Sequence, residues 1–379
     1  MVDPSAATLR EATLADCEPV LGLVQQFGLS EGKSLEDART GWEGLWLRNP
    51  VQRLDRPMPP LGWLLEVEDR LVGFFGSVPL RYQLGDRTLV AGVGTSWAVE
   101  KPYRKRTRDL VQAYFEQPGV DLLLGTSGIP ASGKIYLRNG GAALPVPSYD
   151  RVMLFVITAA PFARAVLRQK GVNPSWADAA GTALAPGVAA AVAIGRRRPG
   201  RPQAGLEPEA IRLDQIGDEF DDLWQRKLAE APRFYAWRTA EDLRWHFAER
   251  GRARSVTMLR CRRGGRLAGY LAWEREDVER LGLVRARIAD LFVEHDEAEV
   301  VDALLAASWE TARDEGCHIL EWQGFPAALR ARAERCRPFS RTLSPISFCF
   351  AARSAELAAA LGREETWYPS LYDGDGSLG

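Results

Sequence analysis

Two short stretches decide the fold of this chain: RLVGFFG at residues 70–76 and RLAGYLA at residues 266–272. They share their leading Arg-Leu, a central glycine followed by an aromatic residue, and an apolar character, and they start 196 residues apart. The tripeptide GIP at Gly128 recurs as GFP at Gly324 at the same distance. Matches that keep both their order and their spacing indicate an internal duplication.

The residues around each stretch predict the same series of elements. In the first half, residues 62–69, 70–84 and 85–100 are three strand patterns separated by turns at Asp69-Arg70 and Gly85-Asp86. In the second half, residues 255–263, 264–276 and 283–294 repeat the pattern, with a turn at Gly264-Gly265. Both halves therefore contain a predicted antiparallel meander, preceded by a strand and an amphipathic helix and followed by a helix, a strand and a second helix.

This order resembles that of the GNAT superfamily of N-acyltransferases, present twice in tandem. The resemblance implies an α/β fold with mixed sheets (α+β in part) and two domains, at residues 1–158 and 210–379. Residues 159–209 are predicted to form a helical segment and a linker, because GRRRPGRPQAGLEPE at 195–209 has no hydrophobic periodicity.

In GNAT proteins the fourth strand diverges from the fifth, and its free backbone groups bind the pantetheine arm of acyl-coenzyme A as an added strand would. The next loop and helix N-terminus hold the pyrophosphate. In this chain the resemblance implies that these contacts come from Trp97, Ala98, Val99, Arg104, Lys105, Arg106, Thr107 and Arg108. The family has small residues, mostly glycine, where this sequence has Thr107 and Asp109, so the backbone cradle is bulkier here, and the basic side chains supply charged donors instead.

The resemblance also implies a catalytic tyrosine in the helix after the fifth strand, whose hydroxyl protonates the departing thiolate. KIYLRNGG at residues 134–141 matches at Tyr136 and Gly140, while Gly141 replaces the usual aromatic residue. A positioned acid accelerates such a step by about 100- to 10,000-fold. The alternative is a tyrosine that closes the core.

A base must take a proton from the attacking amine, and Glu100, at the end of the fourth strand, is the candidate. The alternative is a solvated glutamate at a strand end.

The second copy is predicted to be structural or to bind the acceptor. Its corresponding loop, EHDEAEVVDALL at residues 294–305, is acidic and would repel a pyrophosphate, and FPAALRARAERC at residues 325–336 has no tyrosine at the matching position. Residues 243–250 and the tail at 367–379 resemble segments of bacterial tandem GNAT proteins associated with polysaccharide biosynthesis. The tail's Asp373 and Asp375 flank a glycine, a pattern more typical of a turn than of a metal site.

Composition excludes several classes. The chain has 49 basic and 50 acidic residues, so no overall field attracts nucleic acid. Five scattered cysteines without a Cys-x-x-Cys pair argue against disulfides and zinc, three scattered histidines give no metal-ligand spacing, and no secretion signal is present, which favours the cytoplasm. The Ala-rich run from residue 179 that ends in Arg196, Arg197 and Arg198 predicts a packed helix and linker, with peripheral membrane contact as the less favoured interpretation.

Three hypotheses follow. The first is an acyl-CoA-dependent N-acyltransferase that uses acetyl-CoA or another acyl-CoA, needs no metal, and acts from the first copy on a small primary amine such as an amino sugar. The second is a Fem-type aminoacyl transferase, and near-neutral charge counts against its use of transfer RNA. The third is a binding protein that kept the fold and lost the chemistry.

Overall fold

The structure is a computed structural model that describes residues 7–30, 32–126, 130–194, 198–201, 203–248, 255–343 and 348–378. Its strands are β1 (Thr8–Glu11), β2 (Gly62–Val67), β3 (Arg70–Leu84), β4 (Arg87–Val99), β5 (Leu122–Gly125), β6 (Ala142–Ala143), β7 (Arg151–Val156), β8 (Leu206–Ile211), β9 (Phe234–Ala236), β10 (Val256–Arg263), β11 (Arg266–Val278), β12 (Leu283–Val293), β13 (Ile319–Trp322), β14 (Phe339–Thr342) and β15 (Cys349–Ala352). Its α-helices are α1 (Cys17–Gln25), α2 (Leu35–Trp42), α3 (Thr107–Glu116), α4 (Pro130–Arg138), α5 (Ala159–Gln169), α6 (Pro174–Ile194), α7 (Asp218–Leu228), α8 (Ala240–Phe247), α9 (Ala298–Asp314), α10 (Ala327–Glu334) and α11 (Ala355–Leu361).

The strands form two mixed sheets. The first has the order β1-β2-β3-β4-β5-β15-β6, with β9 added to β3, and the second has the order β14-β7-β13-β12-β11-β10-β8. The meanders β2-β3-β4 and β10-β11-β12 are antiparallel, and the parallel pairs are β4-β5 and β12-β13. The predicted α/β fold with mixed sheets in two copies is confirmed.

The repeated stretches occupy equivalent positions in the two sheets. Gly73 of β3 pairs with Val99 of β4, and Gly269 of β11 pairs with Val293 of β12. A Cβ atom on Gly269 would lie 2.8 Å from the Cγ2 atom of Val293, so the close approach of the neighbouring strand requires glycine. The GIP and GFP repeat cannot be compared in this way, because Gly128 lies outside the described residues.

One predicted turn is displaced by a residue. The turn between β2 and β3 lies at Glu68 and Asp69, both with positive φ as tight hairpins require, and Arg70 already belongs to β3. The predicted turns at Gly85-Asp86 and Gly264-Gly265 are present between their strands.

The two sheets exchange strands reciprocally. β15, from the second half of the chain, lies between β5 and β6 in the first sheet. β7, from the first half, lies between β13 and β14 in the second sheet. The domain boundaries predicted at residues 158 and 209 stay a prediction. Each sheet contains strands from both sides of them.

Contacts between the halves are both apolar and ionic. β9 extends the first sheet by pairing with β3, and the ring of Phe234 stacks on that of Tyr82 with centroids 4.4 Å apart. The Arg81 guanidinium forms a buried ion pair with Asp242, with N–O distances of 2.7 Å. One continuous hydrophobic core contains residues from both halves.

Helices cover both faces of the first sheet. α1 and α2 cover one face, where Val20, Leu23 and Val24 of α1 pack on Phe74 and Ala98. α3 covers the other face. Ser34 caps α2 by accepting a hydrogen bond from the Asp37 backbone N–H, which fixes where that helix begins. Among the described helices, none is long and apolar enough to cross a membrane.

Candidate active site

The candidate site is the divergence of β4 from β5. The last pair between them is Val93 with Leu124, whereas β4 continues to Val99. Beyond Val93, the β-ladders of the described residues place no partner strand on this edge of β4. Ser96 has a φ of 49°, and the pairing of β4 with β3 shifts beside it, which marks a β-bulge. Such bulges re-aim backbone groups next to functional sites.

Aromatic rings fill the divergence on the face of α3. The Tyr114 hydroxyl lies 2.8 Å from the Gly92 carbonyl oxygen and 3.1 Å from the Leu124 carbonyl oxygen, so it bridges the two strands where they separate. Phe75 stacks between Tyr114 and Trp97, with centroids 4.5 and 4.7 Å away. The inner end of the crevice is therefore occupied by the protein's own side chains.

Tyr136 lies at this divergence, with its hydroxyl turned inward. The hydroxyl is 2.6 Å from that of Tyr114, the side chain is buried, and burial raises the pKa of Tyr136 well above its usual value. A Cβ atom on Gly125 would lie 2.8 Å from the Tyr136 ring, so the glycine at the end of β5 makes room for it. The phenol is protonated at neutral pH, and it faces Tyr114 rather than an open cleft.

Glu100, the predicted base, is paired with Arg70. Its carboxylate accepts a hydrogen bond from Arg70, with an N–O distance of 2.5 Å, at the end of β4. It is not among the residues that line the cavity on the α1 face of β4. The structure therefore places Glu100 in an ion pair with Arg70 at the end of β4, and its role as the base stays a prediction.

The predicted phosphate-binding residues form a compact turn. Lys101–Arg106 is a 3-10 helix that leads directly into α3 at Thr107. Arg104, Lys105 and Arg108 are exposed. Asp109 forms an ion pair with Arg106 and lies 3.9 Å from Arg108. These contacts neutralise the carboxylate that stands where the sequence resemblance predicts a small residue, and Arg104 and Lys105 remain exposed beside a helix N-terminus, where anions bind.

The predicted pantetheine residues are only partly accessible. Ala98 and Val99 are buried on opposite faces of the first sheet, against α1 and α3 respectively. Trp97 is half-buried against Phe75.

A cavity of about 110 Å³ opens on the opposite face of β4, between the strand and helices α1 and α2. Its lining includes Val24, Trp42, Thr95, Ser96, Asp375 and Leu378. The Asp375 carboxylate accepts a hydrogen bond of 2.8 Å from the Thr126 hydroxyl, one residue beyond β5. A carboxylate thus stands between the end of β5 and the bulge at Ser96.

Sequence reasoning missed Asp375 as a site residue. It reaches the cavity because residues 367–378, here called the strap, cross from the second sheet to the first. Gly374 has a φ of 129°, and a Cβ atom there would lie 2.0 Å from the Thr126 hydroxyl oxygen. The Asp-Gly-Asp pattern does make a bend, and the bend presents Asp375.

The same strap fills the divergence in the second copy. β12 and β13 pair last at Arg287 and Glu321, and β12 continues beyond. The Tyr368 hydroxyl donates to the Leu291 carbonyl oxygen at 2.7 Å, and the Tyr372 backbone N–H donates to that of Ala289 at 3.0 Å. The second crevice therefore holds a segment of the chain itself.

The acidic loop after β12 is neutralised internally. Glu294 pairs with Arg226 and Arg266, and Asp296 pairs with Lys227 and Arg233. These carboxylates hold the loop on α7 and the meander. Within the described residues, no three His, Cys, Asp or Glu side chains gather as a metal site would require.

Comparison with known proteins finds similarity in structure alone. No family model matches the sequence, and no curated protein matches it. A GCN5-related N-acetyltransferase from Anabaena variabilis superposes with a TM-score of 0.52 at 12% identity, over 92% of this chain and 70% of that one. An N-myristoyltransferase from Saccharomyces cerevisiae with bound myristoyl-CoA gives a TM-score of 0.54 at 12% identity, over 92% of this chain and 81% of that one.

The class that these findings define is a fold, the one shared with this N-acetyltransferase and this N-myristoyltransferase. This chain has that fold in two copies that share strands, as the exchange of β7 and β15 shows.

Proposed function

We propose that the first copy is an acyl-CoA-dependent N-acyltransferase acting on a small primary amine. The observation that carries the proposal is the difference between the copies. In the first, β4 diverges from β5 between a basic turn and a cavity that holds a carboxylate. In the second, the equivalent divergence is filled by the strap.

The basic turn and the free edge of β4 suit acyl-CoA. Arg104 and Lys105 are exposed beside the N-terminus of α3, in the position for a diphosphate. The backbone of β4 beyond Val93 offers its hydrogen-bonding groups to an extended pantetheine chain. Myristoyl-CoA bound to the similar yeast enzyme supports the choice of an acyl-CoA.

We propose that the amine enters through the cavity and meets its base, Asp375, there. An amine that enters between α2 and β4 meets the Asp375 carboxylate near Ser96, and this carboxylate takes the proton that the amine must lose when it attacks the thioester. The amine nitrogen bonds to the acyl carbon, the carbon–sulfur bond breaks, and the thiolate leaves towards Tyr136. The Tyr136 hydroxyl donates a hydrogen bond to the departing thiolate sulfur, which requires that its hydrogen bond with Tyr114 opens on binding. The thiolate takes its proton from water as it leaves, and Asp375 returns the amine's proton to water, so both side chains end as they began.

Ligand binding tests the cofactor half of the proposal. Coenzyme A, acetyl-CoA and myristoyl-CoA are added separately while thermal unfolding is followed, and a ligand at one hundred times its Kd stabilises the protein by about 2.7 kcal/mol. Arg104→Glu/Lys105→Glu removes the stabilisation, whereas the control Arg212→Glu/Arg363→Glu, with the same change in charge at remote exposed positions, keeps it. No shift at millimolar ligand contradicts the proposal and favours the aminoacyl-transferase or non-catalytic hypothesis.

Acyl transfer tests the base. Release of free thiol is measured with a panel of amines that includes amino sugars. We expect Asp375→Asn to lower kcat by about 100-fold or more, because the amine loses its proton acceptor, with acyl-CoA binding unchanged. Glu100→Gln is the matched control and leaves kcat unchanged. Equal rates for Asp375→Asn and the wild type rule out this role for Asp375.

A further inference from the structure

Helix α6 is attached to the protein along one narrow seam. Ala177 and Gly181 are its buried residues among those described, and a Cβ atom on Gly181 would lie 2.8 Å from the backbone nitrogen of Arg164 in α5. The other α6 residues up to Ala193 are exposed or half-exposed, including Trp176 (73% exposed) and Leu184 (53% exposed).

The exposed surface of α6 is apolar. The single charged residue of the helix, Asp178, is paired with Arg168 of α5 at 2.6 Å. From Ala179 to Ile194 the helix carries no charge. A surface helix of a soluble protein has a polar outer face as a rule, so this face calls for an apolar partner.

A basic cleft of about 1280 Å³ lies at the C-terminal end of the same helix. Ala189, Val192 and Ala193 form its α6 wall, and the facing residues include five arginines: Arg198, Arg201, Arg332, Arg335 and Arg337. Among the described residues of the lining, the one acidic side chain, Asp302, is paired with Arg332.

Most of this positive charge is not neutralised by the protein. Among the described residues, Arg201, Arg335 and Arg337 have no ion pair, and Arg198 lies over the Trp309 ring at 4.5 Å. The chain as a whole has a net charge of −1, so the cleft is a local concentration of cations. Unpaired arginines at this density indicate an anionic ligand.

We infer that α6 and the arginine cleft together bind the surface of an anionic membrane. Free phosphate or a soluble anion would satisfy the arginines and leave Trp176 and Leu184 in water. An anionic bilayer supplies both chemistries at once: headgroup phosphates for the cleft, and an interface into which the uncharged face of α6 settles without crossing it.

Vesicle sedimentation tests the inference with the full-length protein. Vesicles of phosphatidylcholine alone are compared with vesicles that contain phosphatidylglycerol. We expect binding to the anionic vesicles only, with affinity that falls as salt is raised from 0.1 to 0.5 M, because the attraction is screened. Arg335→Glu/Arg337→Glu is expected to weaken the partition about tenfold or more.

A second variant tests the helix independently of the arginines. Leu184→Asp places a charge on the α6 face and is expected to weaken binding, whereas Leu47→Asp, at a leucine that is also 53% exposed, leaves it unchanged. Arg212→Glu/Arg363→Glu is the control for net charge. Thermal unfolding of every variant checks that it is folded.

Three results overturn the inference. One is binding to neutral and anionic vesicles alike. The second is equal loss of binding in the controls and the variants. The third is no vesicle binding by a protein that inorganic phosphate stabilises through Arg335 and Arg337, which would identify the cleft as a site for a soluble anion.

Discussion

Arg238 is buried between two carboxylates. Its guanidinium lies 2.8 Å from Asp290 and 3.6 Å from Asp373, and the three side chains are almost fully inaccessible to water. Burial is the main cause that raises the pKa of Asp373 to about 6, with Arg238 opposing it and Asp290 adding to it. One arginine cannot neutralise both carboxylates, so the cluster retains a proton more readily than an exposed aspartate does.

This cluster gives a pH dependence with a definite sign. Because the folded-state pKa of Asp373 lies above its ordinary value of 3.8, its contribution is fully present below pH 3.8 and is lost as the pH rises through 6. We expect the free energy of unfolding of the wild type, relative to Asp373→Asn, to fall by about 2 kcal/mol between pH 4 and pH 7. Urea denaturation at both pH values measures the difference, with Asp375→Asn as the control in the same strap. A constant difference would contradict the assignment.

The sequence predicts part of the candidate site, and the part that it misses depends on contacts between distant residues. Tyr136 could be assigned to the β4–β5 divergence because the helix that carries it follows a recognisable strand. Its inward hydroxyl could not, since the partner is Tyr114, from a different helix. The role of Asp375 could not be predicted for a related reason. It depends on where the strap lies, whereas the local sequence indicates only the bend.

At the scale of elements, the strap meets the end of β5 at one crowded contact. Gly374 lies against Thr126. The Thr126 hydroxyl donates a hydrogen bond to the Asp375 carboxylate and accepts one from the Asp375 backbone N–H. A larger residue at Gly374 pushes the strap away from the end of β5.

We therefore expect Gly374→Ala to destabilise the protein by roughly 2 kcal/mol or more, since strain at positive φ adds to the clash. Acyl transfer, where present, falls with it because Asp375 moves. Gly171→Ala, at a glycine with a φ of 81° and open space around it, is the control and costs only the backbone strain of roughly 1 kcal/mol. Equal costs in denaturant titrations would show that the contact with Thr126 does not hold the strap.

The meanders could be predicted from sequence, whereas the exchanged strands could not. β3 lies between the turns at Glu68-Asp69 and Gly85-Asp86, β11 follows the turn at Gly264-Gly265, and both pair with their neighbours along the chain, so local patterns suffice. RVMLFV in β7 and CFAA in β15 are apolar runs that fit either sheet. Which sheet each one joins depends on contacts between distant parts of the chain, and no local pattern contains them.

For the molecule as a whole, strand exchange joins the stability of the two halves. β7 is held by β13 and β14, β15 by β5 and β6, and Arg81 and Asp242 are buried across the same junction. Neither sheet is complete without a strand from the other half. We expect one cooperative unfolding transition, in which calorimetric and van't Hoff enthalpies agree.

Phe155→Ala tests whether the two halves unfold as one unit. Phe155 belongs to the first half of the chain but is buried in the second sheet, and its truncation is expected to cost about 3–5 kcal/mol. Hydrogen exchange should then accelerate in β3 and β11 by similar factors. Two separate transitions, or protection lost in β11 alone, would show that the halves unfold independently.

The position of β15 has a consequence for synthesis on the ribosome. The strand that lies beside β5 is translated roughly 220 residues after it, which at about 5–20 residues per second is a delay of roughly 10 to 45 seconds. During that interval the edge of β5 is an open template for pairing with other nascent chains. Factors that shield such edges should therefore raise the yield of this protein in cells, and synonymous codons that slow elongation between the two strands should lower it.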